Sequence, residues 1–299
     1  MHNGKLIPIR GKELYVEVHG SPDNPPLLYL HGGPGESCFN FSYHQSARLE
    51  KDFMVIAIDQ RGVCRSEGVT ENEDFKLQDL IEDCEALRDH FSVDKWSLIG
   101  HSFGGFLSVL YAATYPDSID RVVLECPTFD FDLTSRSLMR KTASLLEKHG
   151  QSRAAIESLT IVTNNELKGR ELAELYSDYS DLLGENRMEI YMHNHDHPTD
   201  YSYYSDEKWD ELYDKSEVHY NLLRAEGRIF DSLLPLLNEI KSPTLLLTGK
   251  YDPVTSDLQV QAFRTDVELG ETYHFEDSGH TPHDEEPEHF ANVIKKFIS

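Results

Sequence analysis

The amino-acid sequence predicts an α/β protein: a mostly parallel sheet flanked by helices, interrupted late in the chain by a mainly helical insertion. Three observations carry that reading. Strand-like and helix-like patterns alternate as far as residue 124, as in parallel strands joined by right-handed crossovers. The stretch Gly100-His101-Ser102-Phe103-Gly104-Gly105 lies between an apolar run, Trp96-Ser97-Leu98-Ile99, and a helix-patterned run over 106–115, so a strand enters a helix through one sharp turn. The alternation lapses over 128–227, a charged, tyrosine-rich and helix-patterned segment, and then resumes.

Taken in order, Leu14-Tyr15-Val16-Glu17-Val18 alternates apolar and polar residues and reads as an edge strand. A Pro/Asp/Asn turn cluster at 22–26 separates it from Leu27-Leu28-Tyr29-Leu30, a buried strand. That strand ends in His31-Gly32-Gly33-Pro34-Gly35, whose glycines leave backbone N–H groups available. A helix pattern near 40–50 is followed by Phe53-Met54-Val55-Ile56-Ala57-Ile58, the continuous apolar run of a parallel strand covered on both faces. It stops at Asp59-Gln60-Arg61-Gly62. Leu77, Leu80, Ile81, Cys84, Leu87 and Phe91 recur every three or four residues and mark an amphipathic helix over 76–91. Tyr115-Pro116-Asp117 closes the helix after Ser102, and Val122-Val123-Leu124 forms the next strand.

Within the insertion the helix patterns fall at 137–149, 153–159 and 166–183, with less regular ones after 205. Residues 231–240 lead into the strand Pro243-Thr244-Leu245-Leu246-Leu247-Thr248 and the turn Gly249-Lys250-Tyr251-Asp252-Pro253. A short helix near 256–264, a strand near 270–276, the turn Asp277-Ser278-Gly279-His280 and a helix near 285–298 complete the chain. Residues 1–127 and 228–299 are therefore expected to form one core, with 128–227 as a helical cap inserted in it.

Asp and Glu number 53 against 28 Lys and Arg, a formal net charge of −25. So acidic a surface repels phosphate backbones and anionic lipid heads, so neither nucleic acid nor membrane is expected as a partner. No apolar stretch of signal-peptide type opens the chain and none approaches the ~20 residues of a membrane span, so a cytoplasmic location is expected. Cys38, Cys64, Cys84 and Cys126 lack both C-x-x-C spacing and the density of a disulfide scaffold, and are expected to be free thiols.

The chemistry is concentrated in Gly100–Gly105. A serine on so sharp a strand-to-helix turn has its hydroxyl raised at the carboxyl end of the sheet, where it can attack a carbonyl carbon if a histidine accepts its proton. Such a base needs an orienting carboxylate. Asp252 follows one later strand and His280 the last, each on a tight turn, which makes them the candidate acid and base. Glu125 and Asp130 are rival acids and His283 a neighbouring rival base. The oxyanion that forms on attack requires N–H donors, for which the amides of Phe103, directly after the nucleophile, and Gly33 are the candidates. His193-Asn194-His195-Asp196-His197 falls one residue short of the H-x-H-x-D-H pattern and lies away from the strand ends. It reads as a polar loop, with no metal or other cofactor expected.

His31–Gly35, Asp59–Gly62 with Arg65-Ser66, Gly100–Gly105, Gly249–Asp252 and Ser278–His280 together resemble the proline iminopeptidases within the α/β-hydrolase superfamily. The resemblance covers both halves of the core and leaves out the cap. It implies an eight-stranded α/β-hydrolase sheet, the chain order Ser, Asp, His for the triad, and release of an N-terminal residue, often proline, from short peptides. It also implies that cap glutamates bind the substrate's free amine, for which Glu189 and Glu226 are the candidates. The same core also suits an esterase or lactonase acting on small carboxylic esters, and a ligand-binding sensor that keeps the fold is the reading from another class.

Overall fold

A computed structural model describes residues 4–298. The chain opens with strands β1 (Lys5–Ile9), β2 (Lys12–His19) and β3 (Pro26–Leu30), followed by α1 (Phe39–Leu49), β4 (Met54–Ile58) and α2 (Leu77–His90). Strand β5 (Trp96–His101) runs directly into α3 (Phe103–Thr114), and β6 (Ile119–Glu125) follows. Four helices then intervene, α4 (Phe131–Lys148), α5 (Ser152–Thr163), α6 (Gly169–Asp181) and α7 (Asp206–Glu226). The chain returns through β7 (Thr244–Gly249), α8 (Asp257–Asp266), β8 (Gly270–Phe275), α9 (Pro282–Glu285) and α10 (Pro287–Ile298).

The eight strands form one sheet in the order β1-β2-β4-β3-β5-β6-β7-β8. The pairs β1–β2 and β2–β4 are antiparallel and every other pair is parallel. One expectation is corrected here: Val16 pairs with Ile58 on one side and Lys5 on the other, so Leu14–Val18 lies inside the sheet and β1 forms its edge. β1 escapes a pattern reading because Pro8 interrupts it and most of its residues are not buried, which an edge strand tolerates.

Successive residues of a strand face opposite ways, and both faces here are covered. Leu28, Leu30, Ile56, Leu98, Val122 and Leu246 pack with residues of α2 and α3, while Leu27, Tyr29, Val55, Ile99, Val123 and Leu247 pack with residues of α1 and α10. That is why these strands read as unbroken apolar runs. Helix α3 is enclosed almost throughout, Phe103, Phe106, Leu107 and Val109 all being fully buried, so truncating Phe106 to Ala would cost about 3–5 kcal/mol.

The insertion between β6 and β7 builds a small apolar cluster from Leu138, Met139, Leu146, Ala155, Tyr176 and Ile190, which Val254 joins from beyond β7. Helix α7 is anchored instead to the core, where Trp209 and Leu212 pack on Phe39, Val63 and Cys64.

Strand β3 has β4 on one side and β5 on the other, so the strand order reverses there. The loops leaving β3 and β5 diverge at that point and open a crevice beyond their carboxyl ends, the usual place for a ligand in an open parallel sheet.

Candidate active site

Ser102 occupies the turn between β5 and α3 with φ 53° and ψ −115°, a conformation that L residues rarely adopt. Two glycines permit it. A Cβ at Gly100 would lie 2.3 Å from the Gly104 carbonyl oxygen, and one at Gly104 would lie 2.0 Å from the Leu30 carbonyl oxygen. Strand β5 and helix α3 therefore approach each other and β3 more closely than any side chain allows.

Asp252 and His280 leave β7 and β8, two and three strands away from β5. At ~4.8 Å per strand their turns must reach back toward Ser102, and specific bonds hold them there. His101 Nε2–H donates to the His280 carbonyl oxygen (3.0 Å), the Tyr251 amide donates to Ser278 O (3.1 Å), and the Gly279 amide donates to Glu285 Oε1 (2.9 Å). His101 is buried; burial, with His280 and His283 adding to it, holds its pKa well below 6.5 and keeps it neutral. A Cβ at Gly249 would meet Gly279 O at 1.9 Å, so the two turns touch backbone to backbone.

His280 Nδ1 lies 2.9 Å from Asp252 Oδ1, with the Asp252 side chain only 1% exposed. A carboxylate accepts, so Nδ1 carries the proton and Nε2 is left with its lone pair free. Asp252 is itself fixed by the amides of Val254 (2.9 Å) and Thr255 (3.1 Å). The rivals are engaged elsewhere: Glu125 accepts from His283 Nδ1 (2.9 Å) and the His283 amide, and Asp130 accepts from the Leu133 amide at the start of α4. Burial would lower the pKa of His283, but Glu125 raises it overall.

The amides of Phe103 and Gly33 donate to no described residue. Phe103 is the first residue of α3, where N–H groups lack intrahelical acceptors and the helix dipole favours negative charge. Gly33, at φ +108°, lines the same cavity as Ser102. Its loop is clamped by the residues after β4. The Gln60 amide donates to His31 Nε2 (3.0 Å), Gln60 Nε2 donates to His31 O (2.9 Å), and His31 Nδ1–H donates to Gly32 O (2.9 Å). Burial lowers His31 to about 4, so it stays neutral. Behind it Asp59 takes two bonds from the Arg65 guanidinium (2.7 and 2.9 Å), whose third arm reaches Glu17 (2.9 Å). Burial acts to raise the Asp59 pKa, yet Arg65 holds it below the usual carboxylate range.

A cavity of about 690 Å³ lies over Ser102 and His280, between the strand ends and the insertion. Neither Glu189 nor Glu226 is among the residues that line it. Glu189 turns outward to Lys148 Nζ (2.6 Å) and His149 Nε2 (3.0 Å), and Glu226 accepts from the Leu77 amide (3.1 Å) at the start of α2. The segment His193–His197 also differs from expectation. The Tyr191 carbonyl accepts from the His280 amide (2.7 Å), Glu285 accepts from the His193 and Asn194 amides (2.8 Å each), and His195 and His197 line the cavity. The insertion thus folds back onto the His280 turn, a long-range contact that no local pattern reveals. Pattern reading also missed Glu36, which lines the cavity three residues after Gly33; its one sequence signal is an acid directly after the glycine loop.

Among the described residues one group has metal-ligand spacing, Cys126, Asp252 and His280, with ligand atoms within 4.8 Å of one another. Two of these already bond each other, and burial pushes the Cys126 thiol well up. All four cysteines are free and buried. No helix among the described residues is long and apolar enough to cross a membrane.

Strand order and the sharp strand-to-helix turn at Ser102 point to the class, and the family model shows it: the chain belongs to the alpha/beta hydrolase fold family, whose model matches residues 25–287. Within that class it is similar to proteins named proline iminopeptidase. It is 36% identical over 124 residues to that of Neisseria gonorrhoeae, a match covering 41% of this chain and 39% of the relative. It is 25% identical over 303 residues to that of Heyndrickxia coagulans, covering 97% of this chain and 96% of the relative. A solved proline iminopeptidase structure from Mycobacterium smegmatis superposes with a TM-score of 0.71 at 20% identity, over 99% of this chain and 97% of that one.

Proposed function

We propose that this chain is a serine hydrolase working by acyl transfer, and that it acts as an aminopeptidase, releasing proline or another N-terminal residue from short peptides. The observation that carries this reading is the 2.9 Å bond between His280 Nδ1 and Asp252, with His280 lining the same cavity as Ser102. Ser102 Oγ attacks the scissile carbonyl carbon as its proton passes to His280 Nε2. Asp252 stabilises the imidazolium, and the tetrahedral oxyanion rests on the amides of Gly33 and Phe103. His280 then protonates the leaving amine as the C–N bond breaks; a water deprotonated by His280 attacks the acyl carbon, and His280 returns that proton to Ser102 Oγ as the ester C–O bond breaks and the acid departs. Residues 128–227 serve as the cap that closes the cavity and selects the substrate.

The peptidase reading is supported by the relatives named proline iminopeptidase, one of them matched along nearly its whole length. The test is turnover of a panel of aminoacyl arylamides and short acyl esters by the wild type and by Ser102→Ala. The variant is expected to lose at least about 10⁴-fold in kcat while keeping the wild-type unfolding temperature. Near-normal turnover by Ser102→Ala overturns the nucleophile, and hydrolysis of esters without any aminoacyl amide overturns the peptidase.

A further inference from the structure

The turn that carries His280 is held jointly by the core and the insertion. Glu285, 1% exposed at the end of α9, accepts from the amides of Gly279 (2.9 Å) and Thr281 (3.1 Å) on Oε1 and from those of His193 and Asn194 (2.8 Å each) on Oε2. One oxygen therefore serves the residues on either side of His280, and the other serves the insertion. The amide between them, that of His280 itself, donates to Tyr191 O (2.7 Å). A Cβ at Gly279 would lie 2.2 Å from that carbonyl oxygen, so the two backbones touch. The Tyr191 ring stands against the His280 ring with centroids 5.6 Å apart, and its hydroxyl lies 2.5 Å from that of Tyr176. The His193 ring stacks on that of Tyr251, the residue before Asp252, with centroids 3.4 Å apart and planes at 17°. Segment 191–194 thus touches the turns of both the candidate acid and the candidate base.

Both ends of this strut are fixed. Glu285 is seated by α9, where Glu125 binds the amide and the ring of His283. Segment 191–194 leaves the 3₁₀ turn Gly184–Ile190, and Ile190 is buried in the apolar cluster of Leu138, Met139 and Tyr176. A buried carboxylate is tolerated only while donors satisfy it, and two of the four amides on Glu285 belong to the insertion. Undocking the segment strips Oε2 of both and leaves the His280 amide without its acceptor, which frees the base to shift. We propose that the insertion, besides covering the cavity, seats the base: docking of segment 191–194 and alignment of His280 on Asp252 are one event, joined through Glu285 as a positioning residue. The proposal rests on the serine-hydrolase reading of the site. An undocked insertion leaves the triad present and idle, since a displacement of about 1 Å costs about 10²-fold in rate.

The test uses the full chain and whichever arylamide or ester of the panel the wild type turns over fastest. His193→Pro deletes one insertion amide and alters none of Ser102, Asp252 and His280, while His193→Ala keeps that amide and removes only the ring. Glu285→Gln puts an NH₂ group opposite one pair of amides. The expected fall in kcat is at least about 10-fold in His193→Pro and about 10²-fold in Glu285→Gln, with KM changed by less than about 3-fold and a smaller loss in His193→Ala. Wild-type kcat in either His193→Pro or Glu285→Gln overturns the proposal, as does a loss confined to KM or one that His193→Ala matches in full. Should thermal unfolding show that Glu285→Gln does not fold, the two His193 variants decide alone. In each overturning case, turnover by the wild type and its loss in Ser102→Ala leave the hydrolase reading standing. A wild type that turns over nothing in the panel and is not labelled at Ser102 by a fluorophosphonate removes that reading and the proposal together.

Discussion

At the scale of single residues, the proposed chemistry depends on which nitrogen of His280 carries the proton. Asp252 decides this by accepting from Nδ1–H. In Asp252→Asn the side chain can donate to Nδ1 instead, which moves the proton to Nε2 and blocks base catalysis; kcat is expected to fall about 10⁴-fold with the unfolding temperature nearly unchanged. Steady-state kinetics and thermal unfolding check this, and a kcat near wild type refutes it. His101 has a different part, because its Nε2–H fixes the backbone of His280 and not its ring. Removing that donor in His101→Phe lets the base shift, and a misplacement of about 1 Å is worth about 10²-fold in kcat. His101→Gln, which keeps a donor, is expected to recover part of the loss in the same assay.

At the scale of elements, the site is assembled from turns that meet without side chains between them. Gly249→Ala places a Cβ 1.9 Å from the Gly279 carbonyl oxygen, so the turn carrying His280 has to move. The expected cost is about 1–3 kcal/mol of stability, with a loss of kcat larger than that destabilisation explains; urea unfolding and kinetics on one preparation separate the two. The clamp behind the glycine loop is ionic. Arg65→Met deprives the fully buried Asp59 and Glu17 of their guanidinium, which is expected to cost about 3–5 kcal/mol in urea unfolding at neutral pH.

At the scale of the whole molecule, stability is tied to neutral buried histidines. Burial lowers His31 to about 4 and His219 to about 3. Between those values and about 6.5 the unfolded chain binds a proton at each that the folded chain does not, so stability rises with pH across that window and is lost as pH falls through it. Each contributes up to about 1.4 kcal/mol per pH unit. His283, raised by Glu125 against the effect of burial, opposes them by binding its proton more tightly in the folded state. With these two, His44, which burial also lowers to about 4, and His101 acting in the same sense, against one, urea unfolding is expected to show stability dropping from pH 6.5 toward pH 4.5. A flat profile contradicts this account.

The sequence by itself determined whatever a short stretch of backbone requires: the apolar runs of strands covered on both faces, the glycines around Ser102, and the turns that carry Asp252 and His280. Those signals are local, because a strand end followed by a sharp turn restricts which residues can stand there. Tertiary structure alone decided the rest. The edge strand Lys5–Ile9, mostly unburied and broken by Pro8, has no apolar alternation of its own and exists because Lys12–His19 offers it a partner. Glu189 and Glu226 look no different in sequence from Glu36, yet two of them turn to surface and helix-end partners while the third faces the cavity. The segment around His193–His197 reads as a remote polar loop and is bonded to the His280 turn. A side chain's role in a site is set by neighbours distant in the chain, and hydrophobic periodicity, which records only burial, carries no information about which distant groups a polar side chain will meet.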